Sequence, residues 1–171
     1  MAGRDDAEDR DPVREKVWFC PSAQPALEGS MILGVVQQNQ QVGHVTLLEK
    51  PVRVTEGTVL AFAGNQQQAT GVFRFAAPCQ KQDCRNWSNN SCRVAERVVQ
   101  ILPANSDELP NCRLRSICLW FHQEGGSACK RCTLVLTDNP AMEIALNSGS
   151  APRPDISVES GPAGAEQINQ V

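Results

Sequence analysis

The chain has 171 residues, 41% of them apolar but only 5% aromatic, with no Tyr, eight Cys and a formal net charge of −3. That length suits one domain, with a core built mainly from Val, Leu, Ile and Ala. The longest apolar runs, MILGVV and TVLAFA, are far too short to cross a bilayer, and MAGRDDAEDRDPVREK lacks the apolar stretch of a secretory signal. A cytoplasmic location without membrane association is therefore expected. Cysteines there stay reduced, so a dense pattern reads as metal binding or catalysis rather than disulfides.

In chain order, residues 1–16 form a charged arm poor in apolar side chains and are expected to be disordered. The domain follows at 17–142. The stretch 143–171, rich in Ser, Gly, Pro and Ala, is expected to be a disordered tail. The fold class is α+β: a single small domain with a β-rich part at 17–78 and a cysteine-rich part at 79–142. In the first part MILGVV, VGHVTLLE and KPVRV are apolar runs between polar turns, and the patches QQNQQ and NQQQ read as solvated loops. VTEGTVLAFAG has two readings, a short helix capped by Thr55 and ended by Gly64, or a buried strand at TVLAFA. TGVFRFAA alternates through Val72, Phe73, Arg74 and Phe75 as a strand does.

The second part holds one clear helix, CRVAERVVQIL. Ser91 caps it, Val94, Val98, Ile101 and Leu102 share a face, and Pro103 stops it. ANSDELPN is a loop, RLRSICLWF a strand, EGGS a turn and RCTLVLT a second strand. No internal repeat of a recognised period is present.

Seven of the eight cysteines fall between Cys79 and Cys132, and they divide into Cys79-x4-Cys84-x7-Cys92 and Cys112-x5-Cys118-x10-Cys129-x2-Cys132. The second group can close a four-sulfur site by itself, with the Gly125-Gly126 turn folding Cys129 back towards Cys118. The first is one ligand short, and Cys20 in WFCPSAQP can complete it. Structural zinc sites usually show two CxxC knuckles, whereas here one CxxC stands among irregular spacings. A [4Fe–4S] core is wider than one ion and is gripped from several loops, so one or two such clusters rank first and zinc second. The compact ferredoxin run is absent.

Other readings stand beside this one. Cys129-Lys-Arg-Cys132 has the form of a redox dithiol, and any single Cys, Cys20 above all, is ordinarily a small buried hydrophobe. His122 and His44 read as structural. Trp87, Trp120 and Phe121 are core residues, or a shield around a cluster. Arg113 and Arg115 either donate to sulfur or face solvent. A basic surplus of eight Lys or Arg over five acids between Cys79 and Cys132 balances thiolate charge, and is weak as a nucleic-acid signal.

The leading expectation is an iron–sulfur, iron-containing protein for electron transfer, redox sensing or service to a larger enzyme, with a protein partner. The alternative is a zinc-stabilised module that binds protein or nucleic acid. A third possibility is an enzyme with an open position on a three-cysteine site (Cys79, Cys84, Cys92). It ranks below the others because no acid–base residue stands beside that site.

Overall fold

In the computed structural model the described residues are 16–38, 43–55, 57–58 and 66–137. The expected arm, apart from Lys16, lies outside them, as do the expected tail and the apolar run beyond Thr58. At the start of that run Thr55 Oγ1 accepts the N–H of Thr58 at 3.2 Å, and residues 57–58 are helical.

Strands β1 (Phe19–Ala23), β2 (Met31–Gln38), β3 (Gly43–Arg53) and β4 (Phe73–Pro78) form one sheet in the order β1-β4-β2-β3, with every pairing antiparallel. Gly43–Arg53, which joins most of VGHVTLLE to most of KPVRV, is the single strand β3; it lies at the sheet edge, where the missing N–H of Pro51 costs least. The register of β2 shifts between Ile32 and Gly34. There the backbones approach so closely that a Cβ on Gly34 would sit 2.6 Å from the Thr46 carbonyl oxygen. The second Gln patch is not a loop: Gln66–Val72 is helix α1, and Thr70 and Val72 belong to it rather than to the strand that follows.

Alternation along the strands sends side chains to two faces. Ile32 and Phe75 pack with Ala69 of α1 on one face. Leu33 and Ala76 pack with Leu114 on the other, against the cysteine-rich part. Arg74 shares a face with Ala76 and points the same way, 1% exposed.

The cysteine-rich part is helical. After a 3₁₀ turn at Lys81–Asp83 comes a two-stranded hairpin, β5 (Trp87–Ser88) and β6 (Ser91–Cys92). Its two-residue turn is Asn89-Asn90, with φ of 50° and 59°, the paired left-handed conformation that matches strand twist and that Asn tolerates. Helix α2 (Arg93–Ile101) begins one residue later than expected, with Cys92 rather than Ser91 at its N-cap. A second 3₁₀ turn, Arg115–Ile117, leads into α3 (Leu119–Glu124) and α4 (Gly126–Cys132).

The two strands expected here, RLRSICLWF and RCTLVLT, are therefore wrong. Leu119 and Trp120 of the first run lie on a short helix, and with Ala128 and Val135, which follows the last helix, they join Ala95, Val98 and Leu102 of α2 in one core. Short apolar runs do not distinguish strand from buried helix by periodicity alone. The EGGS turn joins helices rather than strands. Gly125 has φ +62°, where a side chain is strained, and it ends one helix as it starts the next. Arg131 on α4 closes the bundle by donating to the Leu102 carbonyl at 2.7 Å, satisfying an orphan acceptor beyond the end of α2.

Candidate metal centres

The sheet and the helices deliver the eight cysteines to two places. Cys20 comes from β1, and Cys79 follows directly on β4, the strand paired with it; the Cys79 N–H donates to the Trp18 carbonyl at 2.7 Å. Cys84 ends the first 3₁₀ turn and Cys92 stands at the N-cap of α2. These four line one cavity of about 640 Å³, whose rim includes the exposed Asp83 and Arg85 and whose wall includes Trp87 and Trp120. Cys112 precedes the second 3₁₀ turn, Cys118 is the N-cap of α3, and Cys129 and Cys132 lie on α4. These four line a second, much smaller cavity of about 20 Å³, the room of about one water.

The CxxC pair is thus helical rather than a knuckle turn. It fails the strand-to-helix placement a thioredoxin-like dithiol requires, because the pair ends a helix. Its i,i+3 spacing puts both sulfurs on one face.

Six of the eight sulfurs, those of Cys20, Cys79, Cys92, Cys118, Cys129 and Cys132, meet groups that favour the anionic form. The Lys81 N–H donates to Cys79 Sγ at 3.4 Å, and Lys81 adopts φ 46° to do so. The Ser22 N–H faces Cys20, those of Val94 and Ala95 face Cys92, and those of Trp120 and Phe121 face Cys118. At both helix N-caps these amides lie towards the sulfur without a formed capping bond. In the second set Arg74 Nη2 lies 3.9 Å from Cys132 Sγ, and Arg115 acts on Cys129.

Burial works against these groups. It pushes the Cys20 and Cys118 thiols from 9.0 up to about 12, and it raises Cys79, Cys92, Cys129 and Cys132 as well, with the neighbouring sulfurs adding to the shift. Within each set the sulfurs influence one another: Cys20 with Cys92 and Cys79, Cys79 with Cys84, Cys118 with Cys132 and Cys129, and Cys112 with Cys129 and Cys132.

Three further features bear on what these cavities accept. The Arg74 guanidinium, buried on the strand face, donates to the backbone carbonyls of Pro21, Val135 and Cys132, and its charge lies 5.7 Å from the Trp120 ring. A buried cation without a counter-charge is costly. Among the described residues Arg115 Nε and Trp120 Nε1 are buried N–H groups that make no hydrogen bond of normal geometry, although both side chains lie near enough to Cys129 and Cys92 to favour those thiolates; one is on the wall of the second cavity and one is shared by both. Such orphans are rare in folded proteins and mark a missing acceptor.

Of the accessory candidates, Arg113 is exposed while Arg115 points inward. His122 stacks on Trp18 at 4.0 Å, which gives it a packing role, and His44 sits in β3 opposite Gln37. Phe121 packs against the helical core.

Gln123 belongs to no motif in the sequence. Its side chain accepts from the Cys92 N–H at 2.8 Å and donates to the Cys92 carbonyl at 3.0 Å, so α3 holds a residue of the other set in place. Only the i+4 offset of Gln123 from Leu119 on one apolar helix hints at it.

Among the described residues no group of three or more His, Cys, Asp or Glu side chains converges on a point where it could hold a metal ion. No helix among them is long and apolar enough to cross a membrane. Comparison of the chain with protein-family models, with curated proteins and with solved structures gives no match.

Proposed function

We propose that the protein binds iron–sulfur clusters, one [4Fe–4S] centre in each cysteine set, and works in electron transfer or redox sensing with a protein partner. The observation that carries this reading is the division of the eight thiols into two sets of four, each lining its own cavity. A cluster takes its ligands from around a volume, whereas one zinc ion draws four sulfurs to a point about 2.3 Å from each.

Cys20, Cys79, Cys84 and Cys92 would hold one centre, and Cys112, Cys118, Cys129 and Cys132 the other. The donor chemistry fits. Four deprotonated thiols around a cluster make an anionic site, and it supplies what Arg74, Arg115 Nε and the Trp120 N–H lack. The second cavity, with room for about one water, would take a cluster only if its walls moved apart. When bound, such a centre supplies reversible one-electron chemistry. The chain's own part would be to hold the thiolates and donate N–H groups to their sulfurs. Cys20 also lines the first cavity, which favours four ligands there over a three-cysteine site with an open position.

The test is anaerobic purification or reconstitution, with an absorption spectrum and elemental analysis. About eight irons and eight sulfides per chain, with a broad band near 400 nm, are expected. Cys20→Ser and Cys112→Ser should each lower the iron content to about half. About two zinc ions and no visible band would replace this reading with a zinc-stabilised module.

A further inference from the structure

Cys129 stands between two spaces. With Cys112, Cys118 and Cys132 it lines the cavity of about 20 Å³, and it also lines a surface pocket of about 320 Å³ with Asn105, Glu108, Asn111, Lys130 and Thr133. Pro110 is the other residue on both walls. Arg115, which donates to the Pro110 carbonyl, sets its guanidinium beside Cys129. The pocket wall is tied down: the Asn105 N–H donates to the Lys130 carbonyl at 2.8 Å, and its side-chain amide donates to Thr133 Oγ1 at 3.3 Å. Asn111 leads directly into Cys112, so the same pocket adjoins the chain of a second thiol. The space among the second set's sulfurs is tight for a cluster, but a disulfide needs only two of them and no space between.

We propose that Cys129 is a site of thiol–disulfide exchange with a small peptide-like disulfide of the glutathione type, and that Cys112 resolves the adduct into a Cys112–Cys129 disulfide. The proposal concerns the metal-free chain and does not rest on the cluster reading. A disulfide and a filled second centre exclude one another, because both use the same sulfurs.

The pocket carries partners for the groups of such a molecule. Lys130 suits a carboxylate, the exposed Glu108 an ammonium, and Asn111 a peptide group. Cys129 gives its proton to water, and its sulfur attacks one sulfur of the small disulfide. The S–S bond breaks, and the far half leaves as a thiolate that takes up a proton. The Cys112 sulfur, losing its own proton, then attacks the Cys129 sulfur and expels the second half in the same way. Both protein thiols are oxidised, and the small disulfide is reduced to its thiols by the electron pair they give up. Reduced thiol in excess reverses both steps. Cys112 is the resolving residue because its neighbours leave it freest to shift. The Cys132 sulfur lies 3.9 Å from Arg74 Nη2, and Cys118 faces the amides of Trp120 and Phe121 at its helix cap, whereas Cys112 lies on irregular chain ahead of the second 3₁₀ turn.

The experiment uses the full chain, reduced and freed of metal, then incubated with oxidised glutathione. Samples are quenched with iodoacetamide at intervals and mapped by peptide mass spectrometry. Glutathione should appear first on Cys129, followed by a peptide linked through Cys112 and Cys129. Cys112→Ser should make the adduct on Cys129 persist. Lys130→Gln should slow its formation about threefold, the worth of one exposed ion pair, with glutathione but not with the uncharged hydroxyethyl disulfide.

An adduct on Cys79 or Cys84 with Cys129 unmodified overturns the proposal, as does a link from Cys129 to Cys118 or Cys132, or no link at all. Equal slowing of both reagents by Lys130→Gln overturns the role of the pocket. The wild-type peptide map decides the pairing even if a variant does not fold. Iron content, measured on the reconstituted chain, tests the cluster reading separately, so failure of one is distinguishable from failure of the other.

Discussion

The thiols of the metal-free chain should make its stability fall steeply in alkali. Burial raises Cys118, 6% exposed, and Cys20 from 9.0 to about 12. The folded state therefore keeps these protons where the unfolded chain has released them. A raised thiol pKa means that its contribution is fully present below pH 9 and is lost as the pH climbs towards 12. Each thiol costs about 1.4 kcal/mol between pH 8 and pH 10, and the pair about 3 kcal/mol. Cys79, Cys92, Cys129 and Cys132 are raised too and add in the same direction. The chain has no Tyr to confuse the titration.

The assay is urea unfolding of the metal-free protein under reductant at pH 8, 9 and 10, alone and as Cys118→Ser. The variant should recover about 1.4 kcal/mol of the loss between pH 8 and 10. In a metal-loaded chain these sulfurs carry no protons, so the alkaline loss should vanish and weakening should appear instead on acidification. A metal-free chain equally stable at pH 8 and pH 10 would refute the account of buried, protonated thiols.

Gln123→Ala removes both hydrogen bonds to the Cys92 backbone and should cost about 1–2 kcal/mol in thermal unfolding. Arg74→Met leaves the carbonyls of Pro21 and Val135 without their donor and should cost about 3 kcal/mol or more, whereas Arg74→Lys, with fewer donors, should lose less. Gly34→Ala puts a Cβ 2.6 Å from the Thr46 carbonyl and the Val45 side chain, and a midpoint shift in denaturant corresponding to about 1–3 kcal/mol is expected.

How much of this was legible in the sequence varies by element. The β-rich first part and the helix carrying Val94 and Val98 were, because alternation and a 3.6-residue stripe each extend over enough residues to be read. RLRSICLWF and RCTLVLT were not. Each apolar run is short; ICLWF becomes helical by packing on α2 and LVL follows the end of a helix as irregular chain, neither of which the local pattern contains.

The site divides similarly. Spacing suggested two sets of cysteines and offered Cys20 to the first, yet its position beside Cys79 depends on β1 pairing with β4 across more than fifty residues of chain. The buried cation is the clearest gap. Arg74 looked like the polar member of an alternating strand, and only the sheet's second face, covered by the cysteine-rich part, turns it inward. The sequence does carry a mark of the β5–β6 hairpin, the Asn-Asn pair between WS and SC, which went unread.

The pairing of β1 with β4 also sets an order of assembly. Cys112 to Cys132 lie in one local stretch, so the second set can gather while the rest of the chain is still unfolded, since short-range contacts form first. The first set lacks its fourth sulfur until the amino-terminal strand has closed the sheet. Occupancy there would report that folding is finished, and an incomplete chain would carry one filled centre and one empty one.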